Sequence, residues 1–223
     1  PTLGFWSCWA LVVGGSIGSA IFMMPALLVS YGGLGLLSLA AAAVGALFIA
    51  TMLANLSRRV TTTGGPYAYA HAAFGDFGGF LIAWGYWIAL WTACVAITIA
   101  FTGYVGALIP AVGESSVLTV VAGLALIWTL VGVNIAGVRE AGIFSLVTTV
   151  LKLIPLVIIG TIGLFFVEAK ILPPMNPGTT NSAYLFASAF ALTFWMFVGI
   201  EAATVPSEDV ESPEKTIPKA LIT

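Results

Sequence analysis

The chain has 223 residues, 60% of them hydrophobic and 7% charged, with a formal net charge of −2. Soluble domains are about a quarter charged, so the composition excludes a water-soluble monomer, and so small a net charge leaves no footprint for nucleic acid. Cys8 and Cys94 lie in apolar stretches without a Cys-x-x-Cys spacing or a nearby histidine, so both are expected to be small buried hydrophobes rather than a disulfide or a metal site. No cofactor is expected.

Apolar runs of about 20 residues recur, each long enough to cross a hydrocarbon core about 30 Å thick. Six spans are predicted, at about residues 4–30, 34–57, 77–109, 116–137, 141–167 and 183–207. The opening PTLGFWSCWALVVGG lacks the basic start and small-residue cleavage site of a signal peptide, so it is expected to stay as a helix. With no tail before it, the chain is expected to be trimmed at its front. After the second span, TTTGGPYAYAHAAFGDF is expected to carry a short helix along the membrane surface, with the solvated His71 on it. PAVGESS, AGVRE and EAKILPPMNPGTTNS connect the later spans, and the chain closes on the polar PSEDVESPEKTIPK.

The basic residues orient the chain. Arg58, Arg59, Arg139, Lys215 and Lys219 share one side if the spans alternate, Lys170 stands alone on the other, and Lys152 lies within a span. The positive-inside rule then predicts a multi-pass protein of the cell membrane with a cytoplasmic N-terminus, and with Glu114 and Glu168 outside.

Two spans break the rules for a membrane helix at comparable depth. Gly14, Gly15, Ser16, Ile17, Gly18, Ser19 and Ala20 fill the middle of the first, and Gly199 precedes the carboxylate of Glu201 in the sixth. Glycine weakens a helix by about 1 kcal/mol against alanine, and a charge at mid-bilayer costs about 2.5–3.5 kcal/mol. Small residues spaced in threes and fours also suit close helix packing. Helices broken at corresponding places in two inverted repeats are the mark of a midplane binding site in transporters, and the first and sixth spans are so related if the repeat is five helices long.

The motifs GSIGSAIFMMPA, GGPYAYAHAAFG, VLKLIPL and FWMFVGIEAATVPSEDVESPEKTIPKA occur in that order. With them the chain resembles the amino acid-polyamine-organocation transporters, most of all the branch of the arginine/agmatine and putrescine/ornithine antiporters. The resemblance implies an all-α membrane protein of the inverted-repeat, leucine-transporter-like fold, with helices 1 and 6 broken. Residues 1–167 would be the first five-helix repeat, and 168–223 an extracellular loop, the first helix of the second repeat and a cytoplasmic tail. The C-terminal helices that complete the site would be missing, and a homodimer is an expected assembly.

Carried over by motif, Gly18, Ser19, Ala20 and Ile21 match the unwound stretch that binds a substrate carboxylate. Ala20 replaces a family glycine and tolerates positive φ less well. Val198, Gly199 and Ile200 match the stretch whose carbonyls receive the substrate amine. Trp195 resembles an aromatic residue that stacks on substrate, where cation–π attraction suits an ammonium or guanidinium. Glu201 resembles a carboxylate that couples protons or closes the inner gate, and Tyr67 and Tyr86 resemble gating tyrosines. The arginine/agmatine members carry asparagine where this chain has Gly15 and Cys94. With Ala89 and Leu90 also apolar, that departure implies a smaller or more apolar substrate side chain.

Lys152 lies near the middle of the fifth span, where the proton-coupled amino-acid transporters of the wider family carry lysine. The resemblance gives it two roles: a proton carrier standing where sodium sits in sodium-coupled relatives, or a fixed ammonium tying span five to the unwound part of span one. Pro155 one turn later is expected to free a carbonyl nearby. No filter-like repeat suggests a channel, and neither His-Glu-x-x-His nor a nucleophile with its base suggests an enzyme. The expected function is secondary active transport of an amino acid, coupled to protons, by alternating access. The alternatives are exchange of an amino acid for an amine, and a substrate-sensing receptor with the transporter fold.

Overall fold

The computed structural model describes residues 2–166, 173–178 and 180–223, with Ser19 described by its backbone only. Glu168 and Lys170, used above to orient the chain, lie outside the described residues. The described elements are helical: α1 (Phe5–Ser16), α2 (Ser19–Leu28), α3 (Gly32–Ser57), α4 (Pro66–Leu108), α5 (Pro110–Glu114), α6 (Ser116–Ala136), α7 (Val138–Leu164), α8 (Ser182–Phe194) and α9 (Pro213–Ile222). Short 3-10 turns lie at Val29–Tyr31, Trp195–Phe197, Ile200–Thr204 and Ser207–Asp209.

Five helical stretches among the described residues are long and apolar enough to cross a membrane: Phe5–Ser57, Pro66–Leu108, Ser116–Ala136, Val138–Leu164 and Ser182–Thr204. The chain is therefore a multi-pass membrane protein. The first stretch holds two of the six predicted spans. It turns back at Val29–Tyr31 and Gly32, so that Leu39 of α3 packs against Met24 and Leu28 of α2. The connector before α8 supplies the missing partners of α3's first turn: Gly33 N–H donates to the Pro174 carbonyl and Leu34 N–H to the Met175 carbonyl, both at 3.0 Å.

The chain divides into two compact units, one of Pro1–Gly65 with Ser145–Thr223 and one of Pro66–Phe144. In the first, α3 packs on α8 and α9, and α1 packs on α9 and on the turn Ile200–Thr204. Small residues allow the close α3–α8 approach, and hydroxyls bond across it. Ser38 Oγ donates to the Phe186 carbonyl at 3.1 Å, and Thr193 Oγ1 to the Ser38 carbonyl at 3.4 Å.

The polar closing stretch is not a loose tail. Leu3 pairs with Val210 in an isolated β-bridge, with Leu3 N–H donating to the Asp209 carbonyl at 2.9 Å and Glu211 N–H to the Leu3 carbonyl at 3.0 Å. Leu3, Val210 and Ile217 are all but fully buried, each contributing about 1.5–3 kcal/mol on leaving water. Lys219 Nζ stands 4.7 Å from the centroid of the Phe5 ring, a cation–π contact. The loop after α3 joins the same cluster. Gly64 N–H donates to the Val205 carbonyl at 2.9 Å, and Gly65, at φ +52°, lies so close to Thr204 that a side chain there would overlap it. The start of GGPYAYAHAAFG thus touches the sixth-span motif backbone to backbone.

In the second unit, α4 carries the expected short helix at residues 66–74. Gly75 ends it at φ +73°, a conformation that favours glycine, and His71 Nε2 meets Asp76 Oδ1 across the bend at 2.9 Å. Two connectors differ from their prediction. PAVGESS contains α5, started by Pro110 at the first helical position, and Val138, Arg139 and Glu140 of AGVRE form the first turn of α7 after Gly137. Ser115 caps α6, its Oγ accepting from Leu118 N–H at 3.4 Å.

Candidate functional site

The first predicted break is present. α1 stops at Ser16 and α2 starts at Ser19, with Ile17 and Gly18 between them out of helical conformation. Gly18 is extended (φ −98°, ψ −166°), which any residue adopts, and a Cβ there would meet nothing within 4 Å. What glycine leaves at this point is open backbone. No side chain caps α2, so the amides of its first turn, at Ser19, Ala20 and Ile21, point past its N-terminus, where an anionic group is favoured. The concern over Ala20 is resolved: it lies within α2, and Ser212 alone among the described non-glycine residues has positive φ.

The second break is also present, at the expected Val198 and Gly199. α8 ends at Phe194, Val198 is extended, and Gly199 takes φ +110° before the turn Ile200–Thr204. A Cβ on Gly199 would lie 2.6 Å from the Gly15 carbonyl carbon and 2.7 Å from its oxygen, and one on Gly15 would lie 3.1 Å from the Gly199 carbonyl oxygen. The last turn of α1 thus meets the second interruption backbone to backbone, and at Gly199 only glycine permits it. Glu201 turns back on this junction, its Oε2 accepting from Gly199 N–H at 3.1 Å.

The third part is α7. Lys152 Nζ donates to the Gly14 carbonyl at 3.1 Å, placing its ammonium over the last turn of α1, where the helix dipole favours a cation. Thr149 Oγ1 and Ser145 Oγ donate to the Ala10 carbonyl at 3.2 and 3.4 Å. Ser145, Thr149 and Lys152, spaced four and three apart, share one edge of α7. That spacing was visible beforehand, and only its last member was singled out. Gly14 is in turn shielded by Thr149, whose Oγ1 a Cβ at position 14 would strike. α7 runs through Pro155 as one helix.

Beside the junction lies an apolar cavity of about 540 Å³, bordered by Ile21, Met24 and Pro25 of α2, Leu156 and Ile159 of α7, and Met196. Of these, only Ile21 was a predicted site residue. Trp195 opens the 3-10 turn between α8 and Val198 and is 54% exposed.

Ala89, Leu90, Cys94, Tyr67 and Tyr86 belong to the second unit. Tyr86, Leu90 and Cys94 recur every four residues on α4, hence on one face, with Ala89 beside them. Tyr67 lies on the short helix before Gly75, its ring 5.9 Å from that of His71. Cys8 is buried as expected. Cys94 is exposed, because the face of α4 that carries it is not covered within its own unit.

Residues 3–223 match the amino acid permease family. The chain is 35% identical over 211 residues to an arginine/ornithine antiporter of Pseudomonas aeruginosa PAO1, covering 91% of this chain and 44% of that protein. It is 31% identical over 224 residues to a cadaverine/lysine antiporter of Escherichia coli K12, covering 99% and 49%, and 31% identical over 207 residues to the putrescine transporter PotE of the same organism, covering 92% and 47%. The chain thus spans about half the length of the curated relatives it matches. Two interrupted helices in contact, a lysine on the freed carbonyl and a match over nearly the whole chain lead to one conclusion: this chain belongs to the amino acid permease family.

Proposed function

We propose that this chain forms the substrate-binding front of a secondary carrier that moves an amino acid across the cell membrane by alternating access. In this reading residues 1–167 are the first of two inverted five-helix repeats, residues 168–223 begin the second, and the N-terminus is cytoplasmic. What supports it is the contact of Gly15, in the last turn of α1, with Gly199, which brings the end of α1 against the second break, together with the uncapped first turn of α2. A zwitterion fits such a pair of ends: its carboxylate on the amides of Ser19 to Ile21, its amine on the carbonyls.

Lys152 supplies the coupling. While charged, it holds the end of α1 through the Gly14 carbonyl. On losing its proton it keeps two N–H donors but loses the charge that complements the helix end, so its hold on α1 weakens. Glu201, on Gly199 N–H, links protonation to the second break, and Tyr67 and Tyr86 close the path. A second reading, exchange of an amino acid for an amine, is favoured by relatives named as arginine/ornithine and cadaverine/lysine antiporters. Nothing favours a receptor.

The test is uptake of labelled amino acid by the full-length protein in liposomes, with and without a proton gradient and with and without internal substrate. Gradient-driven uptake into empty vesicles supports proton symport. Uptake that requires internal substrate and ignores the gradient replaces it with exchange. Binding without flux of any kind refutes a carrier.

A further inference from the structure

The outward side of the C-terminal half of α3 carries a groove of about 410 Å³, lined by Phe48, Thr51, Met52, Asn55, Leu56 and Arg59. The other side of the helix, with Leu53, Ala54 and Ser57, is buried within the first unit. Polarity along the groove is ordered. Exposed Phe48 and Met52 lie deep, Thr51 and Asn55 follow, and Arg59 stands just past the helix end, roughly 16 Å from Phe48 along the axis. Thr51 Oγ1 is satisfied by its own helix, donating to the Phe48 carbonyl at 2.8 Å. The Asn55 amide and the Arg59 guanidinium have no hydrogen bond or ion pair among the described residues.

Unmet polar groups on the outside of a membrane helix are costly where hydrocarbon surrounds them, and at a helix end they stand at headgroup level. A guanidinium offers a planar fork of donors that matches phosphate oxygens, and basic groups near the bilayer surface attract anionic lipids. We propose that this groove binds one anionic phospholipid, its phosphate on Arg59 and Asn55 and an acyl chain along Phe48 and Met52. A free anion would use the polar end and leave the apolar end empty. Arg58 is adjacent but does not line the groove, so it measures what general surface charge contributes.

The experiment uses the full-length protein, stripped of lipid in detergent and then given phosphatidylglycerol, phosphatidylcholine or inorganic phosphate, with native mass spectrometry counting retained lipid and the thermal midpoint read in parallel. Wild type retains one phosphatidylglycerol in preference to phosphatidylcholine. Arg59→Gln weakens that retention about tenfold, the effect of losing one charge-assisted contact, and Arg58→Gln changes it little. Equal losses in the two arginine variants reduce the effect to surface charge and overturn the site, as does equal stabilisation by inorganic phosphate. In membranes, Met52→Cys reacts with a lipid-soluble maleimide, and phosphatidylglycerol slows the reaction. A cysteine there that is shielded whatever the lipid means that a protein segment fills the groove, and the proposal fails.

Discussion

Replacing Gly199 by alanine tests the junction most directly. The residue sits at φ +110°, where an L side chain is strained, and the added Cβ would stand 2.6 Å from the Gly15 carbonyl carbon, backbone that cannot swing aside like a flexible side chain. Strain of this kind costs about 1–3 kcal/mol and overpacking about as much again, so the contact weakens by roughly 2–6 kcal/mol. The thermal midpoint of the full-length protein falls by several degrees, about 1–2 °C per kcal/mol for a protein twice the length of this chain. Gly15→Ala, whose Cβ meets the Gly199 carbonyl oxygen at 3.1 Å, has the smaller effect of the two. Gly18→Ala, extended and in open space, leaves the midpoint within about 2 °C. Thermal unfolding monitored alongside substrate binding ranks the three. Equal shifts at 199 and 18, or a wild-type midpoint for Gly199→Ala, refute the claim that the end of α1 meets the second break backbone to backbone.

Lys152→Ala removes the donor on the Gly14 carbonyl, so transport in liposomes loses its pH dependence; a variant that transports with an unchanged pH profile assigns the lysine a fixed structural role. Gly14→Ala, which collides with Thr149 Oγ1, costs about 1–3 kcal/mol of stability, and adding Thr149→Ala recovers part of the loss, a recovery that melting curves of the single and double variants measure. Trp195→Ala weakens substrate binding by about tenfold without a comparable loss of stability, since the ring is half exposed; unaltered affinity removes it from the site. A Leu3→Cys and Val210→Cys pair, opposed in a β-bridge, forms a disulfide on mild oxidation, and failure to cross-link contradicts the pairing of the chain's start with the stretch after Thr204.

Much of this was legible in the chain itself. Apolar runs of membrane length and scarce charges dictate a multi-pass helical protein, because a bilayer leaves the backbone few other ways to satisfy its hydrogen bonds. The glycines at 14, 15, 18 and 199 marked the breaks, because glycine and a buried carboxylate are expensive in a membrane helix and persist where something compensates. Lys152 stood out for the same reason. Which partners compensate was decided only by packing. That Gly15 meets Gly199, that Lys152 finds the Gly14 carbonyl, that Thr149 covers Gly14 and that Gly64 bonds Val205 are contacts between residues far apart in the chain, and no local period encodes them. The polar ending shows the limit well. Its composition is polar, yet Val210, Ile217 and Leu221 are buried because α1 and α3 offer them an apolar surface that only the folded chain assembles.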